Sequence, residues 1–186
     1  MIEKFVNGNR DFVEGNFLDN QAYYHKISRQ QKPSLLWIGC ADSRVCPTTI
    51  TNSQLGEIFV HRNIANIVST GDTSISAVLE YAIGHLNILD VVVCGHYNCG
   101  GIQALDTGGN TPIIEKWLQP ATEILDTVRD DVELSSKDRL KKLVEANVRL
   151  QVNRLTDFPI IKDINEKVRL HGWVYDLETG KLASVY

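Results

Sequence analysis

Three short, uninterrupted apolar runs constrain this chain more than any other feature. Ser34-Leu-Leu-Trp-Ile-Gly39, Glu57-Ile-Phe-Val-His61 and Asp90-Val-Val-Val-Cys94 are too short for ordinary helices and show no apolar–polar alternation. Strands of this kind are buried on both faces, as in parallel sheets. Between the second and third lies an amphipathic helix. Ile75, Val78, Leu79, Ala82, Ile83 and Leu86 repeat at helical spacing, with Asp72, Thr73 and Ser74 as N-cap candidates. Further helices are expected over about 112–130, through Ile113, Ile114, Trp117, Leu118 and Ile124, and around Leu140, Leu143, Val144, Asn147 and Val148. Another opens at Asp157-Phe-Pro159 and runs through Ile164 and Val168. Near the end, Arg169 to Asp176 and Lys181 to Val185 flank Leu-Glu-Thr-Gly180, which reads as a strand hairpin. The pattern predicts an α/β fold: a mostly parallel β-sheet core flanked by helices, with right-handed crossovers and a C-terminal strand hairpin.

The first thirty residues are different. They are polar, with a sparse stripe of Ile2, Phe5, Val6, Phe12 and Val13, which predicts an N-terminal helical arm over 1–30 that buries its stripe on another surface. With 186 residues and 43% hydrophobic content, the chain is expected to form a single domain with a real core. A net charge of −4 offers no general basic field for DNA or RNA, so no nucleic-acid partner is expected. The apolar runs fall far short of a membrane-spanning helix. The N-terminus has no continuous apolar segment and carries Glu3, Asp11 and Glu14, which speaks against secretion and mitochondrial import. The expected location is cytoplasmic, or organellar if a leader was trimmed.

The chemistry concentrates where strands end, which is where open parallel sheets bind ligands. The first strand runs into Cys40-Ala-Asp42-Ser-Arg44, and the third into Gly95-His96-Tyr-Asn-Cys99-Gly-Gly101. His96 and Cys99 lie three apart on a glycine-flanked turn, and Cys40 can join them from the neighbouring strand. Two thiolates and an imidazole favour zinc, and three protein ligands leave a fourth position open. Asp42 could fill that position itself, or Arg44 could pair with Asp42 and hold it off the metal. Cys46 and Cys94 read as buried small hydrophobes, although Cys94 and Cys99 could also form a redox pair. His25 and His85 read as structural, and His61 and His171 stay undecided.

Taken together, Cys40-Ala-Asp-Ser-Arg-Val45, His61-Arg-Asn-Ile-Ala-Asn66 and Cys94-Gly-His-Tyr-Asn-Cys-Gly-Gly-Ile102 resemble the β-class carbonic anhydrases, and the similarity runs from about Gln31 to Tyr175. The resemblance implies a zinc enzyme, with one Zn2+ per subunit, that interconverts carbon dioxide and bicarbonate in a homodimer or a dimer of dimers. By motif position, Cys40, His96 and Cys99 become the zinc ligands. Asp42 and Arg44 become the catalytic dyad that gates a zinc-activated water, with Asp42 reaching the metal in a closed state. Gln31 falls where the family hydrogen-bonds substrate. Phe59, Ile64 and Tyr81 fall where it lines an apolar pocket, partly from the partner subunit, although Phe59 and Ile64 also suit plain core packing. Gly100 and Gly101 would let the backbone approach the metal turn closely.

Part of the family resembles a switchable type II subgroup with an inhibitory bicarbonate site, and its marker positions here hold Trp37, Arg62 and Tyr175. Arg62 supplies positive charge, and Trp37 and Tyr175 supply an indole N–H and a phenol O–H. The competing arrangement has Trp37 and Tyr175 filling the core and Arg62 pairing with a carboxylate. Two other functions share the metal ligands: hydrolysis of carbonyl sulfide or carbon disulfide, and a non-catalytic zinc or bicarbonate sensor module.

Overall fold

The computed structural model describes residues 1–129, 131, 133–164 and 167–186. Two compact units divide the chain, Met1–Lys32 and Pro33–Tyr186. In the first, α1 (Glu3–Phe12) continues through a π-helical turn (Val13–Phe17), and α2 (Gln21–Arg29) follows. Phe12 and Phe17 close on Tyr24, with ring centroids 5.7 and 4.9 Å apart. The expected apolar stripe is largely bare within the chain: Ile2, Phe5 and Val6 are 75%, 69% and 54% exposed.

The second unit is built on a five-stranded sheet ordered β2-β1-β3-β4-β5. Its strands are β1 (Leu35–Cys40), β2 (Ile58–Asn63), β3 (Asp90–His96), β4 (Arg169–Tyr175) and β5 (Leu182–Ser184). The first four pair in parallel and β5 closes the terminal hairpin antiparallel to β4. The three apolar runs are therefore neighbouring strands, as their composition requires.

The helices are α3 (Pro47–Ile50), α4 (Thr73–Leu79), α5 (Gly100–Thr107), α6 (Pro112–Leu118), α7 (Ser136–Leu155) and α8 (Pro159–Asp163). Asp72 caps α4 by accepting the Ser74 N–H at 2.9 Å, and the helix continues as a π-turn over Glu80–His85. Ser135 caps α7 by accepting the Asp138 N–H at 3.1 Å. One face of the sheet, through Leu36, Ile38, Val91 and Val93, packs against Ile75 and Leu79 of α4 and Leu143, Val144, Val148 and Val152 of α7. The opposite face carries a smaller cluster of Trp37, Val92 and Cys94 with Trp173, Tyr175 and Leu182, to which Ile50 alone comes from a helix. Among the described residues, helical cover is thus concentrated on one face rather than shared equally between two.

Three local expectations change. The helix foreseen over 112–130 is α-helical only to Leu118 and tightens to a 3₁₀ helix over Gln119–Val128, where Pro120 has no N–H to give; position 130 lies outside the described residues. The helix opened by Pro159 stops at Asp163 instead of running to Val168; residues 165 and 166 of that stretch lie outside the described residues. Finally, α5 was not foreseen, because it opens on Gly100-Gly101, the poorest non-proline helix formers.

Candidate metal centre

Strand order places the site. β2 lies on one side of β1 and β3 on the other. The chain connections therefore leave β1 in opposite directions, and a crevice opens between the carboxyl ends of β1 and β3. Cys40 is the last residue of β1 and His96 the last of β3. Cys99 caps α5 immediately afterwards.

One donor atom from each of Cys40, His96 and Cys99 lies within 4.8 Å of the others, and all three residues are buried. The two Sγ atoms are 4.0 Å apart. His96 Nδ1 faces the Tyr97 carbonyl at 3.0 Å, so this nitrogen donates and Nε2 keeps its lone pair. Nε2 is buried and, among the described residues, has no hydrogen-bond partner. An orphaned imidazole nitrogen facing two buried thiols is costly for a protein alone and fits a divalent ion bound between them. Titration agrees. The Cys40 thiol is pulled down, chiefly by a hydrogen bond from Cys99, with smaller help from the backbone N–H groups of Asp42 and Ala65. That same contact with Cys40 pushes the Cys99 thiol up. Only one of two adjacent buried thiols ionises readily, and a cation lets both do so.

Asp42 stands at the rim. Its Oδ1 accepts Arg44 Nε and the Arg44 backbone N–H, both at 2.9 Å, and its Oδ2 accepts Arg44 Nη2 at 2.7 Å. The guanidinium holds the Asp42 carboxyl well below the usual carboxylate range. Asp42 Oδ2 is also 3.7 Å from His96 Nε2. The loop that bears this pair is held by Arg62, whose Nε donates to the Cys40 carbonyl at 2.7 Å and whose Nη2 donates to the Asp42 carbonyl.

The carbonic anhydrase family profile matches residues 35–182. The chain belongs to the β-class carbonic anhydrases. It is 37% identical to a carbonic anhydrase of Emericella nidulans across 97% of this chain and 81% of that protein. It is 36% identical to one from Pseudomonas aeruginosa across 93% of this chain and 86% of that protein. Among solved structures, a tetrameric β-carbonic anhydrase of Sordaria macrospora superposes with a TM-score of 0.93 at 31% identity, covering 98% of this chain and 95% of that one. The Coccomyxa β-carbonic anhydrase in complex with acetazolamide gives 0.92 at 33% identity, covering 99% and 86%.

The other expected positions of this family member divide into groups. Phe59 and Tyr81 stack, with centroids 5.9 Å apart, and Tyr81 and Ile64 are 46% and 41% exposed. Gln31 lies in the N-terminal unit, after α2, and is exposed. Gly101 is a true close approach, but to the β2 turn: a Cβ there would stand 2.9 Å from Ala65 Cβ. At Gly100 a Cβ would meet open space. Trp37 is fully buried, its Nε1 has no partner among the described residues, and Tyr175 packs in the same cluster. Among the described residues, Arg62 pairs with backbone carbonyls and not with a carboxylate.

The remaining cysteines differ from each other. Cys94 is buried as expected, and burial pushes its thiol far up. Cys46 is exposed, which corrects its reading as a buried hydrophobe. It sits in a loop, immediately before the short α3, with Sγ 3.5 Å from Thr48 Oγ1. His61 Nε2 lies 3.4 Å from Asn63 Nδ2, and Asn63 clamps the turn after β2 through both main-chain groups of Ile67, each at 2.8 Å. His171 lies far along the sheet, 2.9 Å from Asp90 at the start of β3.

Proposed function

We propose that this chain catalyses the zinc-dependent, reversible hydration of carbon dioxide to bicarbonate. The observation that carries the reading is the buried Cys40–His96–Cys99 triangle with the Asp42–Arg44 pair at its rim. Cys40, His96 and Cys99 would hold one zinc ion per subunit. When bound there, zinc is a Lewis acid that lowers the pKa of a coordinated water from ~15.7 toward neutrality, to about 7 in the unrelated three-histidine enzymes.

The chain's own groups do the rest. Carbon dioxide is small and apolar, so it needs apolar walls more than hydrogen bonds, and Phe59, Ile64 and Tyr81 offer them. Asp42, kept ionised by Arg44, accepts a hydrogen bond from the attacking water at Oδ2 and so turns the oxygen lone pair toward the substrate. Asp42 is also the gate: released from Arg44, its carboxylate is near enough to the triangle to occupy the fourth ligand position. Arg62 steadies the loop through which this swing would pass.

The functional unit is a homodimer or a dimer of dimers. The bare stripe of Ile2, Phe5 and Val6 and the exposed Tyr81 and Ile64 support association with a second copy, which completes the pocket. Residues 1–30 act as the arm of a single carbonic anhydrase domain. Four free cysteines, one of them exposed, suit a reducing compartment, and the cytoplasm is the proposed location.

An inhibitory bicarbonate site at Trp37, Arg62 and Tyr175 is a second part of the reading. The unpartnered, fully buried Trp37 Nε1 supports it. An anion there would recruit Arg62 away from the Cys40 and Asp42 carbonyls and loosen the loop in favour of the closed state.

Stopped-flow hydration of carbon dioxide by metal-replete protein tests the function, with carbonyl sulfide as the competing substrate. Activity on carbon dioxide that disappears on chelation supports it. A zinc-loaded protein inert toward carbon dioxide, or active only on carbonyl sulfide, refutes it.

A further inference from the structure

We propose that Asn147 and Gln151, on α7, are positioning residues for the metal centre: they hold the Ile64–Asn66 turn in the left-handed shape that sets the spacing of Cys40 and Cys99. The inference rests on the reading of Cys40, His96 and Cys99 as metal ligands.

Neither amide touches those residues. Asn147 and Gln151 are 1% and 0% exposed on the inner face of α7. Asn147 Nδ2 donates to the Ala65 carbonyl at 3.0 Å, and Asn147 Oδ1 accepts Gln151 Nε2 at 2.8 Å. Gln151 Oε1 in turn accepts the Val68 N–H at 2.8 Å. Three bonds in series thus tie the middle of the turn, at Ala65, and the chain just beyond it, at Val68, to one helix.

The turn needs holding. Ala65 and Asn66 have φ of 61° and 48°. For alanine this region is disfavoured by its own Cβ, and such a conformation persists only when the surroundings over-determine it. An aliphatic residue at 147 or 151 would continue the apolar stripe of α7, but it would leave the Ala65 carbonyl or the Val68 N–H buried without a partner.

The turn packs against both elements that carry the thiols, the end of β1 and the start of α5. On one side Cys40 pairs with Asn63 across the sheet, and the Ala41 N–H donates to the Asn63 carbonyl at 2.8 Å. On the other, a Cβ on Gly101 would meet Ala65 Cβ at 2.9 Å and Ile64 Cγ2 at 3.0 Å, so the helix that starts at Cys99 rests on the turn. The shape of the turn is therefore transmitted to the Cys40–Cys99 distance of 4.0 Å. Groups that orient metal ligands indirectly change metal affinity by roughly tenfold to a hundredfold when removed.

The test compares wild type with Asn147→Asp, which keeps the size but loses the donor to Ala65, and with Gln151→Leu. Zinc affinity is read by competition with a chromophoric chelator, and ligand geometry by the thiolate-to-cobalt charge-transfer band of the Co(II)-substituted protein. Leu143→Ala, on the same helix but outside the hydrogen-bond chain, controls for lost stability. The inference predicts zinc binding weakened by roughly tenfold to a hundredfold and a shifted cobalt band in the two amide variants, with both unchanged in Leu143→Ala. Hydrogen exchange on the wild type needs no variant to fold: the Val68 amide should stay protected after zinc is stripped. Wild-type affinity and an unshifted band in the amide variants would overturn the inference, as would loss of Val68 protection in the stripped protein, since the metal would then be holding the turn. If Asn147→Asp and Gln151→Leu do not fold, the exchange result decides. A wild type that binds no zinc through Cys40, His96 and Cys99 would overturn the ligand reading itself, and this inference with it.

Discussion

Arg44 grips Asp42 by both carboxylate oxygens, at 2.9 and 2.7 Å, while Asp42 Oδ2 stands 3.7 Å from His96 Nε2. One side chain thus sits between a guanidinium and the donor triangle, near enough to serve either. The planar fork of arginine matches a carboxylate at two points, which the single ammonium of lysine cannot do. Arg44→Lys should therefore lose part of the activity. Asp42→Asn, which removes the charged acceptor, should lose about two orders of magnitude in kcat/KM, within the usual range for a positioned proton acceptor. Stopped-flow hydration assays on zinc-replete variants check this. Wild-type rates in Asp42→Asn would remove Asp42 from the mechanism.

The ligand assignment separates the four cysteines. Cys40→Ser and Cys99→Ser, like His96→Ala, should each come off a desalting column with far less zinc than wild type, measured by elemental analysis. Cys94→Ser should keep its zinc, because Cys94 is buried on the opposite face of the sheet. Retained zinc in Cys99→Ser with loss in Cys94→Ser would reverse the assignment.

Cys46 should be the one readily alkylated thiol in the zinc-loaded protein, since it alone of the four is exposed. Its hydroxyl neighbours, Thr49 and then Thr48, bring its thiol down to about 7. The thiolate is the nucleophile, so the rate of iodoacetamide modification should rise through pH 7 and level off above it. Peptide mapping by mass spectrometry, repeated across pH, reads both site and profile. Modification centred on Cys94 would contradict the packing.

At the other end of the sheet, Asp90 joins β3 to β4. The Arg169 guanidinium, then His171, holds its carboxyl below the usual carboxylate range. A depressed carboxylate contributes stability that is fully present above its unfolded pKa, about 3.9, and is lost as pH falls through the folded value. Asp90→Asn should melt a few degrees below wild type at neutral pH. The gap should narrow below about pH 4. Arg169 is 61% exposed, so solvent screening keeps the effect modest. A gap that stays constant down to strongly acid pH would mean that the charge does not matter.

Much of this molecule was legible in the sequence, for physical reasons. Val91, Val92 and Val93 are buried on both faces of one strand, so no polar residue interrupts the run. The 75–86 stripe and its Asp72 cap follow from helical spacing and from the need to satisfy free N–H groups. The metal triangle was readable because soft donors at strand ends have few other uses. Other features depend on tertiary context. Helix α5 starts on two glycines, of which Gly101 is required by the close approach of the turn at Ala65, so local propensity points away from helix. Cys46 is exposed because a loop and a one-turn helix carry it, and composition alone favours burial for cysteine. Asn147 was visible as a polar residue on the apolar stripe of α7, with Gln151 one turn further on. Their partners, Ala65 and Val68, lie some eighty residues away and emerge only from the fold.

The central claim is a zinc centre made by Cys40, His96 and Cys99, and X-ray absorption at the zinc edge tests it most directly. The account predicts an inner shell of two sulfurs, one imidazole nitrogen and one further light atom in the wild type, reduced to a single sulfur if Cys99→Ser retains any metal. Zinc surrounded by oxygen and nitrogen alone, or a spectrum unchanged in Cys99→Ser, would contradict it.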